Sequence, residues 1–214
     1  MADEWLKNIK WLGHDGFAIT EQGVTVVIDP FKAESAPPAD IILVTHAHYD
    51  HCSVDDIARL VKPSTVIVTE PESAAKLAEA KIPAEVRTLA PGERTTVSDI
   101  AIEAVPAYNV NKQFHPREKN WLGFIVTIGG RRIYHAGDTD LIPEMAGLKV
   151  DVALLPVSGT YVMTADEAVA AAKRIRPGTA VPMHYNAIVG SDADADAFRK
   201  GLEGECEVVV LPPA

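Results

Sequence analysis

An apolar run, Ile41-Ile42-Leu43-Val44, breaks off into Thr45-His46-Ala47-His48-Tyr49-Asp50-His51. Four apolar residues with no polar alternation read as a strand buried on both faces. A sheet containing such a strand must be covered on both sides, which points to an α/β layered architecture. The loop that follows places three of the chain's seven histidines within six residues. His46 and His48 are two apart, so in extended chain their side chains point the same way and can grip one ion. Asp50 and His51 come after the chain turns and can face a second ion close by. Imidazole and carboxylate groups without thiolates suit zinc, manganese or iron in an open site, rather than a closed structural zinc centre. A hydrophilic loop that merely happens to be rich in histidine is the bland alternative. The position at a strand end, where active sites of α/β proteins collect, favours the metal.

The rest of the chain fits the same architecture. Thr65-Val66-Ile67-Val68, Val152-Ala153-Leu154-Leu155 and Thr179-Ala180-Val181-Pro182 are further buried runs. Helical stretches follow them, over about Pro71 to Ala80, Ala165 to Ile175 and Ala193 to Leu202, and Val54 to Val61 follows the histidine loop. Thr164, with Glu167 three residues on, predicts a capping box. Shorter β-prone runs fill the intervals: Ile9 to Leu12, Phe17 to Thr20, Val24 to Ile28, Val86 to Leu89, Ile100 to Val105, Gly123 to Ile128, Arg131 to Tyr134 and Glu207 to Leu211. Gly129-Gly130 predicts a two-residue hairpin turn. The prediction is one domain over residues 1–214: an α/β, four-layer αββα sandwich of two mixed β-sheets covered by helices. Pro106 to Asn120 lacks periodicity, and a loop that long inside a compact domain is expected to be functional.

Other strand ends carry matching groups. Asp29 closes Val24 to Ile28, His135 and Asp138 follow Arg131 to Tyr134, and His184 follows Thr179 to Pro182. Alone, Asp29 reads as a turn-forming Asp-Pro. Gly137 before Asp138 permits close approach of the backbone. Together these positions suggest one cluster on one edge of the sandwich.

The HxHxDH run, the Gly137-Asp138-Thr139 strand end and Pro182-Met183-His184 resemble the metallo-β-lactamase superfamily. Trp11-Leu12-Gly13-His14 looks like its small lactonase-like branch, which includes ascorbate-6-phosphate lactonase. The resemblance runs nearly end to end. It implies an αββα fold and two divalent metal ions, zinc first, with manganese or iron as alternatives. It also implies that His46 and His48 hold the first metal, Asp50, His51 and His184 the second, and that Asp138 bridges them. Asp50 is then also the group that orients the attacking water. Asp29, His14 and His135 are placed to orient the ligands. One departure stands out: Tyr108-Asn109 occupies the place where the family supplies a third histidine to the first metal. Either His115, in the long loop, swings in as a substitute, or the first metal is held more weakly and His115 faces substrate or is structural.

Composition narrows the chemistry. Among 214 residues, 20 Lys and Arg against 30 Asp and Glu leave a net charge of −10. That argues against nucleic acid and anionic membranes as partners. Lys112, Arg117 and Lys119, with Glu118 the one anion among them, form a local basic island. The island suggests an anionic small substrate, with Tyr108, Asn109, Lys112 and Arg117 lining its site; the alternative is a solvated charged loop. Tyr161 and Thr160 are weaker candidates for the pocket wall. Cys52 and Cys206 form no framework, and free thiols suit a reducing cytoplasm. Met1-Ala2-Asp3-Glu4-Trp5 lacks the pattern of an export leader. Apolar stretches of about five residues fall far short of a membrane span. Self-association is left open. The expectation is a metal-dependent hydrolase acting on a small, anionic ester, lactone or phosphodiester. An iron-binding redox or oxygen metalloprotein and a non-catalytic metal-binding module are the alternatives.

Overall fold

The computed structural model describes residues 4–214. Met1, Ala2 and Asp3, on which the reading of the leader partly rests, lie outside the described residues.

The first sheet has six strands in chain order: β1 (Ile9–Gly13), β2 (Gly16–Glu21), β3 (Val24–Ile28), β4 (Ile41–Leu43), β5 (Val66–Thr69) and β6 (Glu85–Thr88). The first three form an antiparallel meander; β3 to β6 are parallel. Two helices serve the parallel crossovers, α1 (Val54–Leu60) and α2 (Pro71–Glu79). Period-two geometry sorts the apolar run to two faces. Ile41 and Leu43 enter the main core, whereas Ile42 and Val44 join Ile57 and Leu60 of α1 and Leu77 of α2. This double burial explains the missing polar alternation in β4.

The second sheet contains seven strands: β7 (Arg94–Val97), β8 (Ile100–Pro106), β9 (Leu122–Ile128), β10 (Arg131–His135), β11 (Val152–Pro156), β12 (Thr179–Met183) and β13 (Glu207–Val208). They lie side by side in chain order, antiparallel from β7 to β10 and parallel from β10 to β13. Helix α3 (Ala165–Ile175) packs on β11, and α4 (Asp192–Gly201) packs on β12 and α3. Both sheets are therefore mixed, and helices cover them as the αββα reading expects. Thr164 and Glu167 form the predicted reciprocal cap on α3. Gly129 and Gly130 turn the β9–β10 hairpin with φ of 57° and 72°, a conformation that side chains resist.

Two elements differ from expectation. Strand β7 is Arg-Thr-Thr-Val on the sheet edge, where one half-exposed strand needs little apolar content. Strand β13 stops at Val208 rather than Leu211, because the chain leaves the sheet to lay Pro213 beside Trp11. The loops that carry chemistry all emerge at one edge of the sandwich: the β1–β2 turn, the segments after β3, β4, β8, β10 and β12.

Candidate metal centre

The loop after β4 folds back on itself. The His48 carbonyl accepts the N–H groups of His51 and Cys52, at 3.1 and 2.8 Å. That turn separates His51 from the extended pair before it. Nε2 of His46 lies 3.0 Å from Nδ1 of His48. Asp29, at the end of β3, organises the start of the loop. Its carboxylate accepts the Thr45 amide at 2.8 Å, the Thr45 hydroxyl at 2.6 Å and Nδ1–H of His51 at 2.8 Å. With the Thr45 hydroxyl donating to Asp29, its oxygen is left to accept Nδ1–H of His46 at 3.0 Å. Both imidazoles then direct Nε2 inward.

His115 joins His46 and His48. Ligand atoms of these three lie within 4.8 Å of one another. The long loop after β8 thus brings a histidine to the place left by Tyr108-Asn109. Asn109 does not face the cluster itself. Its Oδ1 accepts the His115 backbone N–H at 3.0 Å and Nδ1–H at 3.1 Å, which leaves Nε2 of His115 free to point at the cluster. Trp121, closing the loop, packs its ring against His46 and His48 with centroids 4.7 and 4.8 Å apart.

A second group adjoins the first. His14, Asp15, His51 and His184 offer ligand atoms within 4.8 Å of one another. Asp138 lies between the two groups: its Oδ2 is 3.1 Å from Nε2 of His115, 3.5 Å from Nε2 of His51 and 3.4 Å from Nε2 of His184. Gly137 makes this approach feasible. Its φ is 63°, and a Cβ there would sit 2.7 Å from the Leu122 carbonyl. The Ser158 hydroxyl contacts Nδ1 of His184 at 2.8 Å and so orients that ring. His135 is buried and stays outside both groups. It accepts the Gly137 amide on Nδ1 and donates Nε2–H to the Asp15 carbonyl at 2.8 Å, fixing the backbone that carries Asp15. Asp50 pairs with Nε2 of His14 at 3.1 Å and lies 3.9 Å from Nε2 of His51. It stands beside the second group and faces the cleft.

Buried polar atoms without a well-directed hydrogen-bond partner gather here: Nδ1 of His14, both Asp15 oxygens, Nε2 of His51, Nε2 of His115 and Oδ1 of Asp138. Each such atom costs about 1–3 kcal/mol if nothing satisfies it, and more if charged. Nitrogen lone pairs and carboxylate oxygens at this density are the donor set of divalent cations, so the residues fit bound metal.

The titration behaviour agrees. Burial, reinforced by His51, His115 and His48, holds His46 well below the usual histidine range. Burial likewise lowers His48 and His14. Burial alone would raise Asp138, but His184, His51 and His115 together pull it well below the carboxylate range. Burial and the neighbouring Asp138 push Asp15 well above it. Burial would lower His51, but Asp138 and Asp29 outweigh that and raise it well above its ordinary value. Like groups shifted in opposite directions at one place mark a candidate functional site.

Residues 8–184 match the family model described as Beta-lactamase superfamily domain. The chain belongs to the metallo-β-lactamase superfamily. A relative from Pyrococcus abyssi, named UPF0173 metal-dependent hydrolase, is 38% identical, with 96% of each chain covered. A crystal structure of a metal-dependent hydrolase from Parabacteroides distasonis superposes with a TM-score of 0.84 at 33% identity, covering 95% of this chain and 91% of that one. A metallo hydrolase from Ignicoccus hospitalis gives a TM-score of 0.80 at 27% identity, covering 96% and 95%.

Within this superfamily framework, the basic island departs from expectation. The cleft over the cluster has a volume of about 240 Å³, and its floor is His48, Asp50, His115 and Asp138. Tyr108, Asn109, Lys112 and Arg117 do not line it. Lys112 reaches Asp140 at 2.5 Å and Glu167 at 3.9 Å. Arg117 pairs with Glu144 at 2.9 Å and lies over the Tyr108 ring, whose hydroxyl donates to Glu144. The reason is local: in a chain of net charge −10, the carboxylates beside the loop neutralise its cations first. Tyr161 lines the cleft and Thr160 does not. Cys52 is fully buried beneath the loop, and burial raises its thiol. Asp15 is the one cluster member that residue spacing does not single out. Its signal is a polar His-Asp pair held between Gly13 and Gly16 at a strand end.

Proposed function

We propose that this protein is a metal-dependent hydrolase with two adjacent cation sites, zinc being the first choice of metal. His46, His48 and His115 would hold one ion, and His14, Asp15, His51 and His184 the other, with Asp138 shared between them. The observation that carries this reading is the convergence of imidazole nitrogens and carboxylate oxygens from five separate loops on two adjoining groups, with atoms from four of those loops lacking a hydrogen-bond partner. A divalent cation bound there acidifies water and polarises a carbonyl or phosphoryl oxygen.

The chain's own residues then have distinct tasks. Asp29, Thr45, Asn109 and Ser158 hold the imidazole rings in fixed orientation, which such ligands require. Asp50 is part-exposed at the cleft floor. Burial opposes its ionisation, but the bond from His14 and the charge of His51 keep its carboxyl below the usual range. Asp50 therefore stays ionised and accepts a hydrogen bond from an incoming water, holding it against the reacting carbon. Trp121 shields the histidine trio from bulk water.

The substrate class that this chemistry suits is a small ester or lactone. The basic island lends no support to an anionic one. Among the described residues, no helix is long and apolar enough to cross a membrane. Both cysteines are free, which accords with a reducing cytoplasm.

Metal analysis of the purified protein, followed by assays of chelator-stripped and reloaded samples on ester, lactone and phosphodiester panels, tests the reading. Two ions per chain, with turnover lost on stripping and restored on reloading, is the expected result. Two irons with visible absorbance and oxygen-dependent turnover would replace it with the redox reading. Identical behaviour of stripped and loaded samples would refute it.

A further inference from the structure

The cleft's walls are as informative as its floor. Tyr49, Phe114, Tyr161 and Ile188 form them. Each comes from a different loop, and three of these loops also carry cluster residues: Tyr49 between His48 and Asp50, Phe114 beside His115, and Ile188 four residues after His184. Tyr49, Phe114 and Ile188 are 64%, 49% and 40% exposed. Five large apolar side chains are that exposed among the described residues, so three of the five stand at this one opening. Phe114 and Tyr161 meet edge to face, with centroids 4.6 Å apart and planes at 82°. This is the geometry aromatic rings prefer when they form a stable wall. The Tyr161 carbonyl accepts Nδ2–H of Asn109 at 2.9 Å, which ties the wall to the residue that orients His115.

Charge is missing from the same wall. Lys112, Arg117 and Lys119 are paired with Asp140, Glu144 and Glu72, and none of the three lines the cleft. Exposed apolar groups concentrated at one concave site mark a binding surface.

We propose that the cleft is a specificity subsite for the neutral, apolar substituent of the substrate, an aryl ring or short alkyl chain. The hydrolysable carbonyl then lies over His48, Asp50, His115 and Asp138. Phe114 and Ile188 are the specificity-determining residues, and a cleft of about 240 Å³ suits a single ring or short chain. This deepens the hydrolase reading, on which it rests, by naming the kind of group recognised.

The test separates recognition from turnover. Binding of unbranched alkyl trifluoromethyl ketones, which have no leaving group to lose, is followed by fluorine NMR with the metal-loaded protein. Affinity should rise roughly two- to fourfold per added methylene until the cleft is full. Phe114→Ala should weaken the longest fitting ketone roughly tenfold, and Ile188→Ala roughly fivefold. Val210→Ala, an exposed apolar residue off this wall, should leave it unchanged. A ketone ending in a carboxylate should bind at least fivefold more weakly than its methyl counterpart. A flat chain-length series, equal binding to Phe114→Ala, or tighter binding of the carboxylate would overturn the subsite. A normal ketone series with no ester or lactone cleavage would leave the subsite standing and sink the hydrolase reading instead.

Discussion

The loop after β4 and the loop between β8 and β9 bring histidines to the same cluster by different means. The first is short. Within six residues it delivers three imidazoles, closed by its own backbone turn and anchored by Asp29. The second wanders from Ala107 to Trp121 and delivers only one, His115, on the way. Its shape comes from outside: Asp140, fully buried, accepts the Val110 and Asn111 amides at 2.8 and 3.3 Å and the Lys112 ammonium. A short loop encodes its geometry in spacing; a long one must borrow geometry from side chains elsewhere. The long loop's contribution to the cluster should therefore be the easier to uncouple.

Asp138 belongs to both halves of the cluster, and its loss should be the largest single effect. Asp138→Asn keeps the volume but removes the charge that His115, His51 and His184 face. Partners that merely orient metal ligands are worth 10–100-fold in affinity or activity, so a carboxylate in direct reach should cost more than about 100-fold in both. Calorimetric zinc titration, paired with turnover, measures it. Loss confined to one of two ions would show that the halves do not share this carboxylate.

His115→Ala comes next, and it divides the two loops. Bound metal should fall from two ions to one by elemental analysis, while the fold holds by circular dichroism. Retention of two ions would mean that the long loop is dispensable to the centre.

Asn109→Ala leaves every donor in place and removes only the group that fixes the His115 ring. A loss of about 10–100-fold in metal affinity is expected, with Asn109→Asp recovering part of it. Nitrogen NMR of His115 should show its tautomer fixed in the parent and mixed in Asn109→Ala. If the tautomer is unmoved and affinity falls, Asn109 acts only on loop packing.

The smallest effect should be at Arg117. The residue is exposed and its pair with Glu144 is a surface one, worth about 0–1 kcal/mol. Arg117→Ala should leave KM unchanged for anionic and neutral substrates alike. A selective rise for anionic ones would restore the basic island to the binding site.

The same contrast governs how much of the fold and the site is legible in the amino-acid sequence. The buried strands are legible, because double-sided burial leaves an unbroken apolar run that few other environments tolerate. The HxHxDH loop is legible because its donors are contiguous. Asp15 is not, since apart from the adjacent His14 the cluster members around it, His51, Asp138 and His184, lie 36 or more positions away. His115 is legible only as an open choice, because spacing cannot say where a long loop points. The basic island misleads for a related reason: charge counted along the chain takes no account of Asp140, Glu144 and Glu167, which approach from later segments. Strand β7 escapes notice because an edge strand is allowed to be polar.

The cluster straddles the sandwich. His14, Asp15, His46, His48 and His51 extend from the first sheet; His115, Asp138 and His184 extend from the second. An ion held by both sets is a rivet between layers that otherwise meet through greasy side chains and a few hydrogen bonds, such as those from His135 to the Asp15 carbonyl and from the Leu122 amide to the Thr45 carbonyl. Separating the layers would then mean giving up the ion, so a sequestering agent would loosen the architecture as well as silence the chemistry. Scarcity of metal in the cell would accordingly register as a shorter lifetime of the folded chain.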